Sequence, residues 1–392
     1  MKAFAKKALR FAIRITKSIV ETIKYYVCYP IAIFTYGKRT IYLVSERGTD
    51  ARDNGYYMYR YIRCEYPELE IYYVIDDKSI DYEKVACYGN IVQPKTWKHY
   101  MLFIAAKYKI SSHIMGYAPD TPFYVAFNEK HRIPGKQIFL QHGVIMNNLV
   151  GLYQEKTQLD LFFCGAEPEY RYIFDNFHYN NNEVKYTGLA RYDGLHDFVP
   201  KEQILIMPTW RVYLKNLKQS ELCTSEYFIQ WNEVLCDKRL AACLEEHEMQ
   251  LVFYPHYEMQ PYVECFSSDS SRVTIADFEH YDVQTLLKES KLLITDYSSV
   301  FFDFAYMKKP CLYFQFDEKS FYGNHYKKGY FDYKEMGFGE VLNDKETLVN
   351  TLISYIENFC LMKEIYRKRA ECFFPLHDKS NCERIFKEIE AL

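Results

Sequence analysis

Residues 291–305, Lys291-Leu292-Leu293-Ile294-Thr295-Asp296-Tyr297-Ser298-Ser299-Val300-Phe301-Phe302-Asp303-Phe304-Ala305, decide the fold. A strand ends at Thr295-Asp296, two serines follow, an apolar helix begins, and Pro310–Gln315 reads as the next strand. Strand, crossover helix and parallel strand form the repeating unit of α/β sheets. Ser298 or Ser299 is placed to cap the helix, whose first-turn N–H groups and dipole favour an anion. A pyrophosphate fits such a site without a Walker lysine. The same residues also describe an ordinary Ser-capped helix. Asp303 is suited either to a ribose or alditol hydroxyl or to bracing the helix within the fold.

Working outward, the same alternation covers most of the 392 residues. In the first half, strands are predicted at Thr40–Val44, Glu70–Ile75, Lys109–Ser112, Gln137–Gln141, Leu159–Cys164 and Val184–Thr187. Helical patterns lie at Asn54–Cys64, Trp97–Lys107 and Glu167–Phe177. A second series has strands at Gln203–Met207, Gln250–Tyr254, Arg272–Ile275, Lys291–Thr295 and Pro310–Gln315. Its helices are Ser225–Glu246, Asp282–Glu289, Ser299–Met307 and Lys345–Asn358. Gly188–Pro200 is the natural hinge. The expectation is an α/β chain in three parts: a basic amphipathic element at 1–39, an N-terminal Rossmann-like domain at 40–190 and a C-terminal one at 202–392. Two doubly wound domains facing a cleft resemble the GT-B type of glycosyltransferase architecture.

Ligands of open α/β sheets sit beyond the carboxyl ends of strands, so polar residues at those ends are the candidates. Gln141-His142-Gly143 follows the apolar run Ile138-Phe139-Leu140. A neutral imidazole there can take a proton near pH 7, with Gly143 permitting a turn. Met207-Pro208-Thr209-Trp210-Arg211 supplies a hydroxyl and the planar donor fork that suits phosphate. Tyr254-Pro255-His256 ends another apolar strand. Each could be structural alone. Together they offer a base, donors for phosphate oxygens and a helix start, the set that transfer from a nucleotide diphosphate needs.

The amino terminus has a different character. Residues 1–40 hold nine Lys/Arg and one acid, a balance of +8 in a chain whose net charge is -3. Lys6, Arg10, Arg14, Lys17, Glu21 and Lys24 recur at three or four residues, one stripe of a helix, with Phe4, Leu9, Phe11, Ile13, Ile15, Ile19, Val20 and Ile23 around it. No uncharged apolar run is long enough to span a bilayer. Such a helix suits the headgroup plane of an anionic membrane, through Lys6, Arg10, Arg14 and Lys17; packing on the protein's own body is the alternative. The segment is too apolar for a nucleic-acid arm. Twelve scattered cysteines form no CxxC pair or zinc spacing and read as reduced thiols of a cytoplasmic protein. Nothing in the sequence demands a metal or a cofactor.

These motifs resemble the CDP-glycerol glycerophosphotransferase family of teichoic-acid primases and polymerases. The matching pieces are QHG at 141–143, PTWR at 208–211, YPH at 254–256 and TDYSSVFFDFA at 295–305. Weaker ones are KKGYFDYKEMGFGE at 327–340 and HDKSNCERI at 377–385. The resemblance implies a GT-B-like fold, a peripheral position on the cytoplasmic face of the cell membrane, and a CDP-glycerol or CDP-ribitol donor. The acceptor it implies is a lipid-linked saccharide or surface polymer. By position, His142 looks like the general base and His256 like a contact to donor phosphate. Thr209, Arg211, Ser298 and Ser299 look like the phosphate cradle, and Asp296 and Asp303 like donor-site residues. The family's Thr-Pro-Leu-Lys-like run after His-Gly is replaced by Val144-Ile145-Met146-Asn147-Asn148, and a Pro-Gly-Pro-like turn by Gly337-Phe338-Gly339. The competing readings are a nucleotide-sugar glycosyltransferase of the same architecture and a non-catalytic membrane-bound assembly subunit.

Overall fold

The computed structural model describes residues 2–130, 133–215, 217–324 and 327–392, with side chains from residue 12 onward except at Asn324. Strands β1 to β7 are Ile41–Gly48, Glu70–Ile75, Ile91–Val92, Tyr108–Ser111, Lys136–Phe139, Leu161–Cys164 and Val184–Tyr186. They form one parallel sheet in the order β3-β2-β1-β4-β5-β6-β7. Strands β8 to β13 are Gln203–Ile206, Gln250–Phe253, Val273–Ile275, Leu292–Thr295, Cys311–Phe314 and Gly339–Leu342. They form a second parallel sheet, ordered β10-β9-β8-β11-β12-β13. Both sheets reverse direction beside their first strand, as doubly wound sheets do. Their central strands are buried on both faces, which is why β8, β11 and β12 read as nearly continuous apolar runs, while β4 also buries Lys109 and Ser111. The expected GT-B-like pair of Rossmann lobes is the architecture of this chain.

The lobes share apolar surface. Val144, Met146, Leu189, Tyr192 and Leu195 pack in one cluster with Phe301, Phe302, Tyr306 and Phe331 of the second lobe. Asn147–Asn148 also pairs antiparallel with Lys327–Lys328, so the run that departs from the family pattern is spent on joining the lobes. The C-terminal end corrects the 202–392 boundary. Helix Asn381–Glu390 buries Cys382, Ile385, Phe386 and Ile389 against Tyr42, Tyr59 and Ile62 of the first lobe. Its apolar residues recur at three and four, so one face fits the groove beside α2 (Asn54–Glu65).

The first helix, α1, spans Lys2–Tyr36. Glu21, Tyr25, Cys28 and Ala32 face the body and pack on the helix Trp97–Ala105. The polar stripe turns inward at this point: the Tyr100 hydroxyl donates to Glu21 at 2.8 Å, and Lys24 pairs with Glu21 at 3.2 Å. Lys17 likewise meets Asp120 at 2.5 Å rather than simply facing lipid. Ile19, Ile23, Tyr26, Val27 and Phe34 are left exposed, Phe34 at 94%. Arg14 is exposed; Lys6 and Arg10 lie outside the described side chains. Among the described residues no helix is long and apolar enough to cross a membrane.

Candidate active site

The site is built from the loop after β1. Asp53 caps α2, and the next residue fastens two further loops: the Asn54 amide donates to the Gln141 carbonyl at 2.7 Å and accepts from Arg191 N–H at 2.9 Å. Gln141 carries the turn out of β5 at a positive φ of 64°. That conformation is strained for a non-glycine residue and persists only where its surroundings impose it. Here the Gln141 side chain donates to the Phe163 carbonyl at 2.7 Å and to Glu169 at 3.0 Å. Glu169 also accepts from the Ile145 and Gly165 N–H groups. Burial pushes the Glu169 carboxyl up to about 7 against those bonds.

His142 projects from this turn with 66% of its side chain exposed, and its Nδ1 is bonded to Asp53 Oδ2. Burial would raise the Asp53 carboxyl, yet the charges of His142 and Arg191 outweigh it and hold the group well below the carboxylate range. An ionised Asp53 accepting from Nδ1–H fixes the tautomer, so Nε2 is the ring nitrogen left as an acceptor. The His113 ring stands 4.8 Å from that of His142, and burial with the neighbouring charges pushes it down to about 3, hence neutral. Donor atoms of Asp53, His113 and His142 lie within 4.8 Å of one another. They form a grouping able to hold a cation.

Arg191, in the connection between lobes, completes the arrangement. Its Nη1 donates to Asp53 at 2.8 Å and to the His142 carbonyl at 2.9 Å. Nε and Nη2 grip Asp303 at 3.0 and 2.8 Å. Asp303 is therefore a buried brace with both oxygens engaged by Arg191, the bracing role being one of the two its position allowed. Gly143 is needed for proximity and not for its backbone angle. A Cβ there would lie 3.1 Å from Ser299 Oγ and 3.5 Å from Arg191 Nη2, so the His142 turn meets the other lobe edge to edge.

In the second lobe the expected cradle is rearranged. Arg211 is 1% exposed and spends its fork on Asp317 at 2.7 and 2.9 Å, on Asp296 at 2.9 Å and on the Thr209 carbonyl at 2.6 Å. It has no face for phosphate; it ties the ends of β8, β11 and β12 together. Asp296, fully buried, accepts from the Thr209 and Tyr297 N–H groups and is a second such tie, not a donor ligand. Thr209 is itself buried beneath the strand ends. The helix begins at Val300 and runs only to Tyr306; Ser298 Oγ accepts from Val300 N–H at 3.4 Å, and Ser299 makes no capping bond. The helix start is thus a weaker anion site than expected, with two serines half exposed at the cleft. His256 is half-buried at the end of β9, accepts from Glu258 N–H at 3.2 Å and stacks near Trp210.

The structure brings His142, Gly143, Ser299, Arg191 and Asp303 to one point and leaves Arg211 and Asp296 beneath the opposite rim. Asp53, His113 and Arg191 escaped the sequence reading. His113 follows a strand as His142 does, and Asp53 lies in the polar loop Gly48-Thr49-Asp50-Ala51-Arg52-Asp53-Asn54-Gly55, so the strand-end rule could have found both.

Known proteins are similar to this chain in sequence and in fold. Residues 28–391 match the family model described as CDP-glycerol:poly(glycerophosphate) glycerophosphotransferase. The minor teichoic acid biosynthesis protein GgaB of Bacillus subtilis is 32% identical over 92% of this chain, which spans only 41% of that protein. The teichoic acid glycerol-phosphate transferase of Staphylococcus aureus is 23% identical, over 90% of this chain and 93% of its own length. A structure of the wall teichoic acid polymerase TagF superposes with a TM-score of 0.70 at 18% identity, covering 98% of both chains, a likeness of fold. A family match running across both lobes and all four strand-end motifs leaves one assignment: the chain belongs to the CDP-glycerol:poly(glycerophosphate) glycerophosphotransferase family.

Proposed function

We propose that this chain transfers glycerol phosphate from CDP-glycerol to a hydroxyl of a lipid-linked saccharide or surface polymer, releasing CMP. The observation that carries the reading is the Asp53–His142 pair, with the imidazole largely exposed and Ser299 of the other lobe against the same turn. The acceptor hydroxyl gives its proton to Nε2 as its oxygen forms a bond to the phosphorus bearing glycerol. The bond from that phosphorus to the bridging oxygen breaks, and CMP leaves with that oxygen. Asp53 stabilises the imidazolium that forms. His256 and the hydroxyls of Ser298 and Ser299 face the charge that grows on CMP. Arg211 acts at one remove, by fixing the strand ends that carry them. Separate incubation with CDP-glycerol, CDP-ribitol and UDP-sugars tests the reading. CMP release from CDP-glycerol in the presence of acceptor is the expected result; UDP release alone would replace it with the glycosyltransferase reading.

The site of action we assign is the cytoplasmic face of the membrane. Support comes from the exposed apolar side of α1, which lies opposite the stripe packed on the body. Sedimentation with anionic vesicles should carry the protein down. Ile19→Glu with Ile23→Glu should release it, and equal sedimentation of both forms would refute the assignment.

A further inference from the structure

A cavity of about 280 Å³ lies in the first lobe, apart from the cleft residues described above. Arg47 and Gly48 at the end of β1 form one wall, and Gly116 and Asp120 beyond β4 form another. Because the sheet order reverses between β1 and β4, this is its topological switch point, where open α/β sheets receive ligands. Lys95 and, from α1, Lys17 close the rim. Asp120 is the one acid in this lining; it is paired with Lys17 and caps the helix Thr121–Asn128. Among the described residues the exposed Arg47 and Lys95 side chains form no salt bridge. The lining therefore carries an excess of two positive charges.

Two neighbours define its use. His113 and Gly116 share one short loop, so the wall of the cavity is three residues from the ring that stands against His142. Gly116 is pressed so close to the Glu46 carbonyl that no side chain fits, and Ser111 also donates to that carbonyl at 3.3 Å. The loop is thereby pinned to β1. On its other side the cavity opens at α1 through Lys17, two residues before the exposed Ile19 and six before Ile23.

We infer that this cavity binds a phosphate or diphosphate group of the acceptor, held by Arg47 and Lys95 with Lys17 at the rim, so that the acceptor's hydroxyl end reaches His142. The inference rests on the transferase reading above. The anion could belong to the diphosphate of a membrane-anchored acceptor or to a phosphodiester of a growing chain. Both present the same oxygens to an arginine fork and a lysine.

The test uses the full chain saturated with CMP, titrated calorimetrically with inorganic pyrophosphate. The wild-type protein should bind it. Arg47→Gln with Lys95→Gln, both at exposed positions, should bind about ten- to a hundredfold more weakly through loss of charge-assisted bonds, with CDP-glycerol affinity unchanged. The KM for acceptor should rise by a similar factor with kcat largely kept. A rise confined to a polyprenyl-diphosphate saccharide in vesicles identifies the lipid diphosphate, and one confined to a soluble glycerol-phosphate oligomer identifies the phosphodiester. Unchanged pyrophosphate affinity, or an unchanged KM for both acceptors, overturns the inference. Failure of the wild-type protein to bind CDP-glycerol would instead overturn the transferase reading, because pyrophosphate binding is scored independently.

Discussion

His142→Ala is expected to lower kcat by about a hundred- to ten-thousandfold, the usual worth of a general base, with little change in CDP-glycerol affinity. The side chain is 66% exposed and its loss opens no cavity in the core. Asp53, its partner, remains neutralised by Arg191 at 2.8 Å, so the fold should survive. CMP release at saturating acceptor, alongside a thermal melt, separates the two effects. Asp53→Asn should give a smaller loss, because an amide in that position no longer demands Nδ1–H and lets the imidazole adopt the unproductive tautomer. Near-wild-type turnover of His142→Ala on a working acceptor would remove the base assignment. Turnover lost together with the melting transition would show that the residue matters for folding and not for chemistry.

Arg191→Ala should cost about 3–5 kcal/mol of stability, the usual consequence of leaving buried carboxylates without their cation. Asp53 and Asp303 would then face each other, both buried, with the guanidinium between them gone. Arg191→Lys should rescue poorly, since an ammonium cannot bond two carboxylates and the His142 carbonyl in the geometry of a planar fork. The sign of the pH dependence follows from Asp53. Its folded-state pKa is lowered, so its contribution is present above the unfolded value of about 3.9 and is lost as pH falls through the lower folded value. Without Arg191 the carboxylates are free to take protons, and the deficit against wild type should shrink on moving from pH 8 to pH 5. Urea denaturation at the two pH values measures it. A deficit below about 1 kcal/mol, or one that grows on acidification, would show that Arg191 is not the cation this cluster depends on.

The two sheets were legible because most of their central strands are short and largely apolar on both faces, and most predicted strands lie within two residues of the observed ones. Ile91–Val92 was missed because two residues carry no period. Gly339–Leu342 was missed because it sits at a sheet edge with Glu340 inside it. Ser225–Glu246 read as one helix; Asp237 divides it by capping a second, accepting from the Arg239 and Leu240 N–H groups. The site was legible only as far as a residue announces itself by local position. His142 does, at the end of a strand. Arg211 does too, and was misassigned, because Asp317 lies 106 positions away and nothing near Arg211 shows that its fork is already filled. Arg191 is the extreme case: its meaning depends on Asp53 and Asp303, 138 and 112 positions distant, and a lone arginine in a connecting segment carries no signal of either.

The position of Arg191 governs how motion would be felt across the molecule. A body turning about a fulcrum displaces each point in proportion to its distance from that fulcrum, and hinge rotations of lobes obey the same lever law. The guanidinium that grips both lobes and the His142 carbonyl would serve as the fulcrum of such a rotation. The imidazole, whose own backbone carbonyl is held there, would travel little in such a swing, while the Arg52–Tyr281 contact across the lobes would have to slide or part. Opening and shutting would admit or exclude molecules at the lips while the proton acceptor stays almost still.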